Sequence, residues 1–147
     1  MKFKLNIDKN AEESIEATFK SRCTLSDKLE AIVSEYNGSD RITAYDNENI
    51  ISLRVPDIEY ITVIDSKTYA FDIKGRQFLL KQRLYEAEEM LPSGFFRINK
   101  SSVANRAHVE RYSAAFSGGV DVVFKSGNKE YVSRRCFAQI KKELKSK

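Results

Sequence analysis

Several residue types that support common chemistries are scarce in this 147-residue chain, which has no tryptophan, one histidine, two cysteines, two prolines and six glycines. Cys23 and Cys136 stand far apart, so the sequence offers neither a disulfide framework nor the CxxC spacing of a zinc site. The single histidine, His108, has no GxSxG or Cys/His signature beside it, as nucleophilic catalysis would require. We therefore expect no enzyme, with no catalytic residue, no metal and no cofactor.

Signals for membrane insertion and export are missing as well. No stretch reaches the roughly 18 to 20 consecutive apolar residues of a membrane span, and the opening MKFKLNID lacks the continuous apolar segment of a signal peptide. With 41% hydrophobic and 31% charged residues, the composition is that of a folded globular protein. The sequence predicts a cytoplasmic protein with one core module and room for a modest appendage.

Charge is distributed unevenly along the chain. Residues 1–57 carry 8 Lys and Arg against 11 Asp and Glu, a net charge of −3, whereas the whole chain carries +4. Residues 58–147 therefore carry +7, and all of this excess lies after Phe96. Such an excess is typical of a protein with a polyanionic partner, but also of a solvated basic surface, and charge alone does not choose between them.

The spacing of apolar residues predicts an N-terminal αβ segment. KFKLNID at 2–8 and SIEATFK at 14–20 alternate apolar and polar residues as strands do. A helix follows them and is predicted to stop at Asn37-Gly38. We expect residues 1–50 to form this segment and to serve as a dimer or partner surface.

The rest of the chain, residues 51–147, is predicted to be a second, mainly β unit. Runs such as IEYITVI and TYAFDI read as short strands, with a helix over about 81–91 between later runs. A turn at 126–128 is predicted to join VDVVF and KEYVS in a hairpin, and Ser133 is the expected N-cap of a terminal helix. The expected fold class is mainly β, α+β overall, with small antiparallel sheets and short helices.

Three segments in a fixed order carry a more specific signal: IEYITVIDSKTYAF at 58–71, FFRINKSSVAN at 95–105 and GNKEYVSRR at 127–135. Together they resemble the LytTR-type DNA-binding family, whose pattern runs strand, strand, helix, Phe-x-Arg-x-His-Arg/Lys-Ser, Val-Asn, hairpin and Ser-Arg. The resemblance covers about 90 residues, to the end of the chain. It implies a small stand-alone bacterial transcription regulator in which loops, rather than a recognition helix, enter the major groove.

By position, the resemblance places three DNA-facing loops at Lys67 and Thr68, at Asn99, Lys100 and Ser101, and at Arg134 and Arg135. Lysine and arginine neutralise phosphates or donate to guanine, and the hydroxyls of serine and threonine serve either purpose. Arg134 and Arg135 would also stand in the first turn of the terminal helix, where the helix dipole disfavours cations and a nearby polyanion would relieve that cost. The alternative is that these arginines are solvated or pair with Glu130.

Other matching positions are expected to be structural. Phe95 and Phe96 are predicted core aromatics, Asn105 is predicted to turn the chain through side-chain to backbone bonds, and Arg97 could serve either purpose. The family's usual histidine is Asn99 here, and its usual aromatic after the serine is Ser102. Because asparagine can still pair with adenine, these departures bear on base preference rather than on binding itself.

The resemblance therefore predicts a sequence-specific regulator that binds double-stranded promoter DNA, as a homodimer on repeated sites. It also implies a possible restraining partner, a small membrane protein encoded beside such regulators. The alternative function is a protein-interaction module that has kept the fold and lost DNA binding.

Overall fold

The computed structural model of the chain describes residues 1–36, 40–92, 94–114 and 118–145. The described part is mainly β with three helices, which confirms the predicted fold class. None of these helices combines the length and the apolar character that a membrane crossing requires.

The N-terminal segment differs from its prediction. Helix α1 spans Thr24–Tyr36, but residues 1–23 contain no strand, so the strands predicted at 2–8 and 14–20 are wrong for the isolated chain. A strand needs a neighbour for its backbone hydrogen bonds, and no other strand of the described residues lies beside either run. The predicted helix stop at Asn37-Gly38 lies outside the described residues.

Seven antiparallel strands form the large sheet, in the order β2-β1-β5-β4-β3-β7-β6. Their bounds are β1 Arg41–Asp46, β2 Asn49–Arg54, β3 Ile58–Ile64, β4 Lys67–Asp72, β5 Gln77–Leu80, β6 Phe95–Asn99 and β7 Ser102–Asn105. Helix α2, Leu84–Met90, packs on one face and is shorter than the predicted 81–91. The sequence predicted β3 at its exact bounds, whereas β5 was missed.

The small sheet packs on the other face together with the terminal helix. It contains β8 Val109–Ala114, β9 Val120–Phe124 and β10 Lys129–Val132 in the order β10-β9-β8, followed by helix α3, Arg134–Lys145. The predicted β9–β10 hairpin is confirmed. The hydroxyl of Ser133 accepts from the N–H of Cys136 at 3.2 Å, which confirms the predicted N-cap.

Strand β3 is buried on both faces because each face of the large sheet covers a separate core. Ile58 and Ile61 belong to the core under α2. Tyr60 points to the opposite core, where its ring stacks between Phe71 and Phe124 at centroid distances of 4.7 and 5.3 Å. The Phe71–Tyr60–Phe124 stack thereby joins the large sheet to the small one.

The boundary predicted between residues 50 and 51 falls inside β2. Both β1 and β2 lie in the large sheet, since Tyr45 of β1 pairs with Leu79 of β5. The division into two units remains a prediction, and these pairings attach residues 41–54 to the second unit.

Asn105 ends β7 and fastens it to the start of β3. Its side-chain amide donates to the buried carbonyl of Ile58 at 2.9 Å, and its oxygen accepts from the N–H of Ala107 at 3.1 Å. These bonds confirm the turn predicted at this residue.

Asn105→Ala leaves the Ile58 carbonyl unpaired, so we expect the free energy of unfolding to fall by about 1–3 kcal/mol in urea denaturation. Asn6→Ala, at an exposed position, is the control and should change it little.

Glu130 of β10 generates a prediction about pH. Burial raises the pKa of this carboxyl, although the hydrogen bond from Tyr60 opposes the shift; burial, with Glu130 nearby, raises the pKa of Tyr60 to about 12. The unfolded chain therefore loses the Glu130 proton first as pH rises, which lowers stability from about pH 4.3 up to the raised folded pKa. Glu130→Gln keeps an acceptor for Tyr60 and should melt higher than the wild type at pH 7, but no higher at pH 4. Exposed Glu110→Gln should follow the wild type at both pH values.

Candidate nucleic-acid interface

Two hairpin turns lie at the same end of the large sheet. The turn at 65–66 joins β3 to β4, and the turn at 100–101 joins β6 to β7. Strands β3 and β7 are antiparallel neighbours, and the N–H of Val63 donates to the carbonyl of Ser101 at 2.9 Å. The two turns are therefore held side by side, although about 35 residues separate them in sequence.

The start of α3 lies against the second of these turns. The side-chain amide of Asn99 donates to the carbonyl of Tyr131 at 2.7 Å, and the N–H of Ser133 donates to the carbonyl of Ile98 at 2.8 Å. These bonds bring the end of β10 and the first turn of α3 beside the end of β6. Residues 65–67, 99–101 and 133–135 are thus together, and we term this region the three-loop end.

Arg97 braces the loop at 99–101. Its Nε donates to the Glu88 carboxylate of α2 at 3.0 Å, and its Nη1 donates to the carbonyl of Lys100 at 2.8 Å. Asn99 adds a second brace, because its side-chain oxygen accepts from the N–H of Ser101 at 2.8 Å. With its guanidinium committed to these two acceptors, Arg97 positions the loop.

A buried hydroxyl pair supports the same end from beneath. Thr62 of β3 and Ser102 of β7 face each other with their oxygens 2.7 Å apart, and either can be the donor. The Thr62 hydroxyl also lies 3.3 Å from the carbonyl of Ser101. Ser102, the departure from the family's usual aromatic, therefore has a hydrogen-bonding role inside the protein.

Accessibility separates the seven predicted contact residues into three groups. Exposed side chains belong to Lys67, Lys100, Arg134 and Arg135, half-buried ones to Asn99 and Ser101, and a buried one, 6% exposed, to Thr68. The burial of Thr68 does not favour a direct contact, and Ser66 is the exposed hydroxyl of that turn. Each contact stays a prediction.

Among the residues that the structure describes, the exposed cations at the three-loop end have no anionic partner. None of Lys67, Lys100, Arg134 or Arg135 forms an ion pair within the described ranges, so the alternative pairing with Glu130 is not seen. Arg134 and Arg135 stand in the first turn of α3, as predicted, where the helix dipole disfavours positive charge. An anion placed here would be attracted both by the side chains and by the free N–H groups of the helix.

Sequence reasoning predicted a turn at Asp65-Ser66 but left two exposed side chains of this surface unassigned, those of Ser66 and Tyr131. Asp65 and Ser66 both have positive φ, 51° and 66°, and this tight turn keeps Ser66 exposed beside Lys67. Tyr131 is exposed on β10, next to Asn99. The exposure of Tyr131 could have been predicted from its position beside Glu130 in β10, because neighbouring strand residues point to opposite faces and Glu130 is half-buried.

The described residues contain no group of three or more His, Cys, Asp or Glu side chains placed to hold a metal ion. The three-loop end therefore offers four cations, several hydroxyls, one amide and one exposed carboxylate, that of Asp65. Such groups bind phosphates and the edges of bases.

Comparison with known proteins agrees with this geometry. Residues 48–145 match the model of the LytTr DNA-binding domain family. An HTH-type transcriptional regulator of Staphylococcus aureus strain NCTC 8325, itself uncharacterized, is 30% identical over 144 residues, 96% of this chain and 97% of that protein. Its counterpart in the bovine strain RF122 is 29% identical over the same length.

A solved LytTr DNA-binding domain from Bacillus cereus superposes with a TM-score of 0.65 and 22% sequence identity, covering 71% of this chain and 96% of that one. That likeness shows a common fold. From the match over residues 48–145 and the relatives that align along almost the whole length, the chain belongs to the LytTr DNA-binding domain family.

Proposed function

We propose that this protein is a transcription regulator that binds double-stranded promoter DNA sequence-specifically, with the three-loop end in the major groove. The observation that carries the proposal is the convergence of three loops, distant in sequence, which present at one end of the fold four exposed cations that form no ion pair within the described part of the chain. Family membership and the name of the Staphylococcus aureus relatives support a DNA-binding regulator in general.

The loops, rather than a helix-turn-helix, are the proposed contact surface. Helices α1, α2 and α3 are each separated from the next by several strands. The major groove is about 12 Å wide and presents guanine acceptors that arginine and lysine recognise with two hydrogen bonds. Lys100 and Arg135 are the proposed base contacts, while Lys67, Arg134 and Ser101 contact phosphates or bases.

Asn99 is a weaker candidate for base contact than the family resemblance implies. Both ends of its amide are occupied within the chain, by the carbonyl of Tyr131 and the N–H of Ser101. A bidentate contact with adenine would have to use the remaining Nδ2 hydrogen and the remaining Oδ1 lone pair, or exchange one of these bonds. We propose that Asn99 shapes its loop and that its neighbours supply the donors.

The proposal includes assembly as a homodimer on repeated sites. When the spacing of two repeated half-sites matches the spacing of the two subunits, both subunits can bind at once. This raises the overall affinity without new contacts to bases. A co-encoded small membrane protein stays a further proposed partner, supported by the family resemblance alone.

Replacing the proposed base contacts tests the assignment. Arg135→Ala removes a bidentate donor, so it should weaken binding to the cognate duplex by about 1–3 kcal/mol and to a scrambled duplex by less, measured by fluorescence anisotropy. Lys100→Ala should behave in the same way. Lys142→Ala removes the same charge from the last turn of α3 and is the matched control, with a small and equal effect on both duplexes.

Wild-type behaviour of Arg135→Ala on both duplexes would remove its assigned role. If instead the circular dichroism melt of the variant collapsed, the arginine would be structural. Failure of the wild type to bind any promoter duplex would favour the protein-interaction alternative.

The charge of the three-loop end generates a prediction about salt. If each subunit contacts roughly 4 to 6 phosphates, the logarithm of the binding constant should fall with the logarithm of salt concentration at a slope of about −4 to −5 per subunit. The measurement is a titration series between about 50 and 300 mM salt. Removing a phosphate contact, with Lys67→Ala, should make the slope shallower by about 1. A binding constant independent of salt would contradict the proposed electrostatic interface.

A further inference from the structure

Residues 2–8 have the pattern of a strand but lack a partner in their own chain. Phe3, Leu5 and Ile7 alternate with polar residues, and their side chains are 89, 70 and 86% exposed. Within the described ranges, the backbone groups of 2–7 form no backbone hydrogen bond. In an extended conformation these three large apolar side chains would lie on one side of the segment and form a continuous surface that soluble proteins usually cover.

The large sheet has one free edge that this segment fits. Its two outer strands are β2 and β6. Strand β6 is covered, since Ile98 and Asn99 bond to the chain around β10 and α3. Strand β2 pairs only with β1 among the described strands, its Ile50 is 72% exposed, and its Ser52 carbonyl accepts from the Arg41 side chain at 3.2 Å, a contact outside any strand pairing. An open edge with an exposed isoleucine is a template for a further strand.

Charge selects the direction of pairing. With residue 5 opposite residue 51, a parallel strand puts Lys2 beside Glu48, in the turn before β2, and Asp8 beside Arg54, at the end of β2; an antiparallel strand puts Lys2 beside Arg54 and Asp8 beside Glu48. The parallel arrangement pairs opposite charges at both ends, and the antiparallel one pairs like charges at both ends.

The same register matches the apolar faces. Leu5 lies opposite Ile51, and Ile7 lies opposite Leu53; Ile51 and Leu53 face the core under α2. In a parallel pair, opposite residues point to the same face of the sheet. Leu5 and Ile7 would therefore extend that core across the edge, which removes their side chains from water.

We propose that residues 2–8 of one copy add as a parallel strand to β2 of a second copy, and that the exchange is reciprocal and forms a homodimer. This rests on the proposed function for its use, since repeated DNA sites need two copies. Reciprocity follows from closed two-fold symmetry, in which each copy supplies one segment and one edge. The three-loop end lies outside this interface, because it is formed by β3, β4, β6, β7 and α3.

Cysteine cross-linking between copies tests both partner and register. In the full chain with Cys23→Ser and Cys136→Ala, confirmed as folded by its melt, one preparation carries Asn6→Cys and another carries Ser52→Cys. The parallel register places these positions opposite each other, within reach of a disulfide. After mixing, reduction and mild oxidation, peptide mass spectrometry should find the link between 6 and 52, which can only join two chains.

Lys4→Cys mixed with Ser52→Cys is the matched register control, since only the antiparallel register brings these positions together. A higher yield for this pair would overturn the parallel arrangement. Absence of a link in both mixtures, or a link that forms only within a chain carrying Asn6→Cys and Ser52→Cys together, would overturn the exchange between copies.

Sedimentation of variants with the same added charge on opposite faces gives an independent test. Leu5→Asp lies on the face that meets the core, and Asn6→Asp lies on the outer face. Leu5→Asp should weaken dimerisation at least tenfold, about 1.4 kcal/mol, while Asn6→Asp should change it about threefold or less. A monomeric wild type at about 100 μM, or equal effects of the two variants, would contradict the proposed exchange.

Measurements of DNA binding distinguish failure of the proposed strand exchange from failure of the proposed function. Leu5→Asp should bind a single half-site as the wild type does, because the three-loop end is unchanged, and should lose cooperativity on the repeated site. Loss of half-site binding by Leu5→Asp would place the segment at the DNA and overturn its assignment to the dimer. A wild-type dimer that binds no DNA would instead refute the proposed function and leave the exchange intact.

Discussion

Burial of β3 on both faces is the constraint on which the rest of the architecture depends. A strand with a core on each side must have a neighbour along each edge, and β4 and β7 fill those places. Strand β4 follows β3 through the turn at 65–66, and β7, which pairs antiparallel with β3, follows the turn at 100–101. Both turns therefore lie at the same end of the sheet. The loops at 65–67 and 99–101 are thus aligned by the packing of the interior, before any ligand is present.

Hydrogen bonds of polar groups near these loops hold each loop in a fixed conformation. Thr62 and Ser102 hydrogen-bond inside the sheet, Arg97 links the Lys100 carbonyl to α2, and Asn99 links its loop to β10. A polar group that is buried or half-buried is expensive to leave unpaired, so these bonds hold each loop in one arrangement. Exposed lysines and arginines can then act from a rigid base, which reduces the entropy lost on binding.

The sequence predicted those parts of the fold that local patterns determine. The alternation in IEYITVI gave β3 at its exact bounds, Ser133 was found as a cap from its chemistry, and the side-chain bonds of Asn105 follow from its position at a strand end. Strand β5, QFLL, has no clear alternation and was missed. The predictions of strands at 2–8 and 14–20 were wrong because alternation shows only that a segment can pair. It does not show whether another strand lies beside the segment.

The candidate site was predictable in position and less so in exposure. Family resemblance placed three loops, and the folded chain brings them together, but it buries Thr68 and occupies both ends of the Asn99 amide. Those details depend on which face of β4 turns inward and on a hydrogen bond across 32 residues, neither of which a linear motif records. Tyr131 and Ser66 were likewise recognised only in the folded chain, where they lie beside the predicted contact residues.

The bond from Ser133 to Ile98 has a consequence for synthesis of the protein. The ribosome makes the hairpins of the large sheet first, and the last part of the surface, the first turn of α3, can dock only when residues 133–135 have emerged. Pairings between distant segments also form late in folding, because loop closure must precede them. A nascent chain from which residues 133–135 have not yet emerged therefore lacks a complete three-loop end.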